Sequence, residues 1–148
     1  MSRFLGRYSS IAYALMRLIV GLLLACHGGQ KVLGMFATPD HPASPFVPLS
    51  MSGVAGIIEL VGGFLIALGL FADWAAFLAS GLMAVAYFLV HAKGGFFPIQ
   101  NHGEPAVMYC FVLLYIACHG SGALSLDGLL FGNRRTGYGQ PTESAATI

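Results

Sequence analysis

The chain has 148 residues, 57% of them hydrophobic and only 9% charged, with a formal net charge of +1. A soluble domain carries about 25% charged residues, so this composition cannot cover a water-facing surface, and the length allows one small domain. The seven Lys and Arg are scattered along the chain and form no basic patch for phosphate contact, which excludes nucleic-acid binding.

Crossing the hydrocarbon takes about 20 apolar residues. Four runs meet that need, at about 10–27, 52–71, 74–91 and 104–121. They predict an all-α, integral membrane four-helix bundle over residues 10–130, after a short cytoplasmic N-terminus at 1–9. The first run follows Arg3 and Arg7 and ends near Leu23-Leu24-Ala25-Cys26. That tetrapeptide resembles a lipoprotein cleavage box, but Arg17 interrupts the apolar stretch such a signal needs, so the run reads as a retained helix.

The loop to the second run carries Pro39, Pro42, Pro45 and Pro48. Their spacing of three matches the polyproline II turn and predicts an extended strap. Phe71-Ala72-Asp73-Trp74 is a tight turn, so the second and third runs form an antiparallel hairpin with Trp74 at the interface. Ala72, Ala76, Ser80 and Ala84 recur every four residues, a seam that lets helices approach closely. The tail at 131–148 is polar and predicted to be disordered and cytoplasmic. Arg3, Arg7, Arg134 and Arg135 outnumber Lys31 and Lys93, so the positive-inside rule puts both termini in the cytoplasm.

Two charges interrupt these runs. Arg17 lies ten residues before His27, and Glu59 lies seven after Ser52, depths of about 15 and 10 Å from the outer ends. A charge at bilayer depth costs roughly 3 kcal/mol or more, so the pattern predicts a buried Arg17–Glu59 ion pair. Glu59 shares a face with Gly56 and Gly63, and Arg17 with Gly21. The outer ends gather His27, Lys31, His91 and Glu104, with Tyr87 and Tyr115 on the stripes beneath them. This polar mouth is the candidate ligand-binding site, suited to the head group of a quinone. A seal for the end of the bundle is the competing reading of the same residues. Neither H-x-x-H nor C-x-x-C occurs, so no metal site is expected. Cys26, Cys110 and Cys118 read as small buried residues, with Cys26 and Cys110 the one conceivable redox pair.

The segments R-L-I-V-G-L-L-L-A-C-H-G-G-Q-K (Arg17 to Lys31), E-L-V-G-G-F-L-I-A-L-G-L (Glu59 to Leu70), H-A-K-G-G-F-F-P (His91 to Pro98), E-P-A-V-M-Y (Glu104 to Tyr109) and G-S-G-A-L-S-L-D (Gly120 to Asp127) resemble the DoxX family of bacterial membrane proteins. The resemblance covers roughly Leu15 to Asp127 and implies a multi-pass protein of the bacterial inner membrane. Family names come from subunits associated with thiosulfate:quinone oxidoreductase and terminal oxidase complexes. The resemblance therefore implies a quinone-linked redox component of a respiratory or sulfur-oxidising system. It equally allows a non-catalytic accessory subunit that packs onto a larger membrane complex or onto copies of itself. Arg17, His27, Lys31, Glu59, His91 and Glu104 fall within the matching segments, without an assigned role.

Overall fold

A computed structural model describes residues 2–39, 42 and 45–132. Among these the regular secondary structure is all helical, with no strand. A short helix α1 (Ser2–Gly6) precedes α2 (Ser9–Leu33), α3 (Met51–Leu68) and α4 (Ala72–Ala86). A π-helical turn at Tyr87–His91 and a 3-10 turn at Ala92–Gly94 continue α4. Then come α5 (Pro98–Asn101), α6 (Glu104–His119) and α7 (Leu126–Phe131). Three of the helical stretches, Ser9–Leu33, Met51–Leu68 and Ala72–Gly94, are long and apolar enough to cross a membrane, and Glu104–His119 is a shorter apolar helix.

Local sequence sets most helix ends. Ser50 caps α3, its hydroxyl accepting from Gly53 N at 3.0 Å. Gly69, with φ +69°, stops α3, and Leu70 N folds back onto Leu65 O at 2.9 Å. Such left-handed glycine caps satisfy the last carbonyls of a helix. α2 runs on past His27 to a similar cap at Gly34, six residues beyond the end expected from the sequence. Gly28 and Gly29 do not terminate it, because both are buried inside the bundle.

The backbone pairing is α2 with α3 and α4 with α6, joined through α3 and α4. Gly21 and Gly28 on α2 face Gly63 and Gly56 on α3, close enough that an added Cβ would strike the opposite backbone. The small-residue seam of α4 packs on α6, with Ser80 Oγ donating to Cys110 O at 2.8 Å. Leu24, Ile66, Ala76, Ala79, Leu113 and Ile116 are wholly buried and supply the core from all four long helices. Leu22, Val61, Phe64, Phe77, Leu78 and Phe88 point outward. An apolar surface of that extent is foreign to a soluble monomer and suits lipid. The predicted disordered tail lies outside the described residues from position 133 onward, with Arg134 and Arg135.

Candidate functional site

At the end of the bundle where α2 finishes and α3 begins, Lys31 Nζ meets Glu59 Oε1 at 2.6 Å. The Glu59 side chain is 4% exposed and that of Lys31 35%, so the pair joins a buried carboxylate to an ammonium that reaches the surface. Glu59 Oε2 is buried and has no hydrogen-bond partner among the described residues, as is also true of Arg17 Nε and Asp127 Oδ1. A cavity of about 170 Å³ lies beside Lys31, under the Pro-rich loop, and is lined also by Gln30, Phe46, Ser50 and Ser52.

This asymmetry makes a prediction. Lys31→Met leaves a buried carboxylate unpaired and is expected to cost about 3–5 kcal/mol. Glu59→Leu leaves a lysine that can turn to water and is expected to cost within about 1 kcal/mol, as for exposed pairs. The double variant should recover most of the Lys31→Met loss in thermal unfolding in detergent. Equal losses for the two single variants would contradict the assignment.

Arg17 is 2% exposed, yet among the described residues it hydrogen-bonds to no carboxylate, although Asp127 acts on it electrostatically. Its guanidinium donates to the carbonyls of Ser121 and, at 2.8 Å, Leu124. α6 has 16 residues, about 24 Å of helix, short of the roughly 30 Å hydrocarbon. The irregular stretch after it turns back onto the bundle, and non-helical backbone at such depth must find its hydrogen bonds inside the protein. Arg17 supplies two of them, and Tyr13 Oη donates a third to Gly120 O at 2.5 Å. Asp127 completes the knot: its Oδ2 accepts from Phe71 N at 3.0 Å and from the Ser121 hydroxyl, and its own N–H donates to Gly69 O at 3.0 Å.

The expected Arg17–Glu59 pair is therefore corrected. The Arg17 guanidinium lies against Gly69, ten residues along the chain from Glu59, about 15 Å at helical rise. The expectation placed the end of α2 at His27. Extending the helix to Leu33 sinks Arg17 toward the opposite end and lifts Lys31 into reach of Glu59.

The remaining mouth residues divide. Tyr87 is buried, donates to the Phe96 carbonyl, and receives a long contact from Asn101 Nδ2 at 3.4 Å. His91 Nδ1 lies 3.2 Å from Asn101 O, and Asn101 also bonds Gly95 O and Gly103 N. These two thus belong to a network centred on Asn101 that holds the loop from α4 to α6. Glu104 is exposed in the first turn of α6. Tyr115 lies near the Arg17 end, with its ring 6.0 Å from Tyr13 and 5.6 Å from His119, and so is not part of the mouth. His27, exposed, stacks edge-on against Tyr109 at 6.0 Å. Cys26 and Cys118 are exposed and Cys110 partly so, all three as free thiols, which corrects the expectation of small buried residues. No three His, Cys, Asp or Glu converge as a metal-ligand set among the described residues.

Between α2 and α6 the bundle does not close backbone to backbone. The two helices meet through rings, His27 on Tyr109 toward the Lys31 end and Tyr13 on Tyr115 and His119 toward the Arg17 end. Between these contacts lies an apolar cleft of about 270 Å³, lined by Met16 of α2 and by Val107, Met108, Phe111, Val112 and Tyr115 of α6. Tyr109, next to Met108, is within Coulombic range of Glu59 and Cys26. The cleft opens sideways, and neither Lys31 nor Glu59 is part of its lining.

The family model described as DoxX matches residues 12–92, which is more than half of the chain. The protein belongs to the DoxX family. The match takes in α2, α3, α4 and the π-helical turn, and hence Arg17, Lys31, Glu59 and His91, while α6 lies beyond it. An uncharacterized protein of Haemophilus influenzae strain Rd is 38% identical over 86% of this chain and 96% of its own length. A second uncharacterized protein of the same strain is 32% identical over 49% of this chain and 48% of its own. No solved structure matches. In this DoxX protein the conspicuous charges of the sequence serve two ends of one bundle rather than each other.

Proposed function

We propose that this DoxX protein is a quinone-linked component of a membrane redox system, taking a lipid-soluble ligand from the bilayer into the α2–α6 cleft. The observation that carries the reading is the cleft itself, open laterally and lined by Met16, Val107, Met108, Phe111, Val112 and Tyr115. A ligand site needs an apolar cleft with a few polar groups that fix orientation. At about 270 Å³ the cleft is slightly below the usual range for a whole ligand, so it suits a ring and the first part of a chain whose remainder stays in lipid. His27, Lys31, Glu59 and Tyr109 orient the head in this reading. His91 and Tyr87 brace the loop from α4 to α6, and Glu104 stands exposed at the start of α6.

The same open seam supports a second reading, in which a helix of a larger membrane complex or of another copy fills it and the protein is an accessory subunit. Purification in mild detergent with mass spectrometry of both lipids and polypeptides separates the two. The first reading expects a co-eluting quinone from the free protein. A stoichiometric polypeptide without quinone would favour the second.

The reading includes residence in the bacterial inner membrane with both termini cytoplasmic, supported by the arginines near the termini. In a cysteine-free background Leu49→Cys should then be labelled from outside intact cells and Leu129→Cys should not. The reverse pattern would invert the protein.

A further inference from the structure

We propose that Tyr115, at the Arg17 end of the α2–α6 cleft, hydrogen-bonds one oxygen of the ligand's ring and so sets how the ring lies. The proposal rests on the quinone reading above and deepens it.

Met108, Phe111, Val112 and Tyr115 recur at three and four residues, so they form one stripe of α6 along the cleft. The stripe runs about 10 Å from Met108 to Tyr115 at helical rise, and Met16 joins the lining from α2. Five of the six lining residues offer only hydrocarbon or thioether surface, and Tyr115 alone brings an O–H. A thioether sulfur is no donor and accepts only weakly. A quinone oxygen needs a donor, and no other side chain of the lining can supply one. The phenol oxygen also accepts, so the same atom meets the hydroxyl of the reduced form.

The Tyr115 hydroxyl makes no hydrogen bond among the described residues. Its ring is held by its neighbours instead. The Tyr13 ring stands edge-on to it at 6.0 Å, and the His119 ring lies 5.6 Å away. Tyr13 cannot take its place, because that side chain is buried and its hydroxyl is committed to Gly120 O. Tyr115 thus presents an uncommitted donor on a ring fixed by packing. The two oxygens of a para-quinone stand on opposite sides of the ring. With one turned toward the Lys31 end, the other points along the stripe to Tyr115, and the substituents leave through the open side of the cleft.

A single hydrogen bond between neutral groups changes affinity by about two- to tenfold. The test uses the full chain in nanodiscs and a short-tailed para-benzoquinone, isotope-labelled at one carbonyl or the other. Infrared difference spectra are expected to show at least one carbonyl shifted to lower frequency on binding. Tyr115→Phe removes only the oxygen. It should return that carbonyl to its frequency in lipid and weaken binding by the same two- to tenfold, with the melting temperature unchanged. Tyr8→Phe, exposed and outside the cleft lining, should change neither. Binding with both carbonyls unshifted, or a shift that persists in Tyr115→Phe, overturns the role of Tyr115 and leaves the quinone reading standing. The first of these outcomes is read on the unaltered protein, so it decides the matter even should Tyr115→Phe fail to fold. Failure of the probe to bind the unaltered protein overturns the quinone reading itself.

Discussion

Replacing Gly28 with leucine is expected to part α2 from α3 and abolish the folded bundle. A Cβ at this position would lie 2.2 Å from Leu60 N and 2.6 Å from Gly56 O. Both are backbone atoms of a helix, so no side chain can move aside. Gly21 faces Ala67 N at 2.4 Å and Gly63 faces Ala25 N at 2.5 Å in the same sense. These glycines repeat at seven residues on each helix and so fall on one face. Even Gly28→Ala should cost at least the upper end of the roughly 1–3 kcal/mol typical of overpacking. Gly81 is the internal control, since a Cβ there meets nothing within 4 Å. Gly81→Ala should stabilise α4 by up to about 1 kcal/mol through helix propensity. Thermal unfolding in detergent, followed by circular dichroism, compares them. Equal melting temperatures for Gly28→Ala and Gly81→Ala would refute the close approach.

Arg17→Leu is expected to release the segment from Gly120 to Phe131 and to destabilise the protein by several kcal/mol. The Ser121 and Leu124 carbonyls lose their donors, at about 1–3 kcal/mol for each buried group left unsatisfied, where the bilayer offers no water in exchange. Arg17→Lys keeps the charge but replaces a planar fork by a single ammonium, so it should recover part of the loss. Hydrogen exchange read by mass spectrometry locates the effect. Amides from Gly120 to Phe131 should exchange faster while those of α3 keep their protection. Uniform protection in Arg17→Leu would show that the segment is held by something other than this side chain. Combining Arg17→Leu with Glu59→Leu should give additive losses, as for distant sites.

The sequence announced the membrane bundle because hydropathy and length dominate the choice of fold in lipid, and four apolar runs leave little else to build. It also marked Arg17 and Glu59 as inward-facing, since each lies among small residues on one helical face. Their partners were hidden for two physical reasons. Gly28-Gly29 looks like a helix end in a sequence, whereas here helix packing carries α2 through it, and that six-residue extension brings Lys31 to Glu59. The partners of Arg17 are backbone carbonyls of a non-helical turn, and a carbonyl has no residue type to read. Asn101 escaped notice because an amide in a loop is commonplace, although it organises Tyr87, Gly95 and Gly103. Tyr109 and Tyr13 were two among six tyrosines, distinguished only by what the packing of α2 against α6 places opposite them. The cleft depends on which helix pairs fail to close, a property of tertiary packing with no local signature.

The lateral cleft as the seat of a lipid-soluble ligand is tested most directly by photo-crosslinking. The purified protein in nanodiscs is irradiated with an azido-quinone carrying a short alkyl tail, and the labelled peptides are mapped. Adducts are predicted on Met16, Met108, Tyr109 and Phe111, competed away by unlabelled quinone or hydroquinone. Labelling confined to outward-facing residues such as Phe77, Leu78 and Phe88, and indifferent to competitor, would contradict the account.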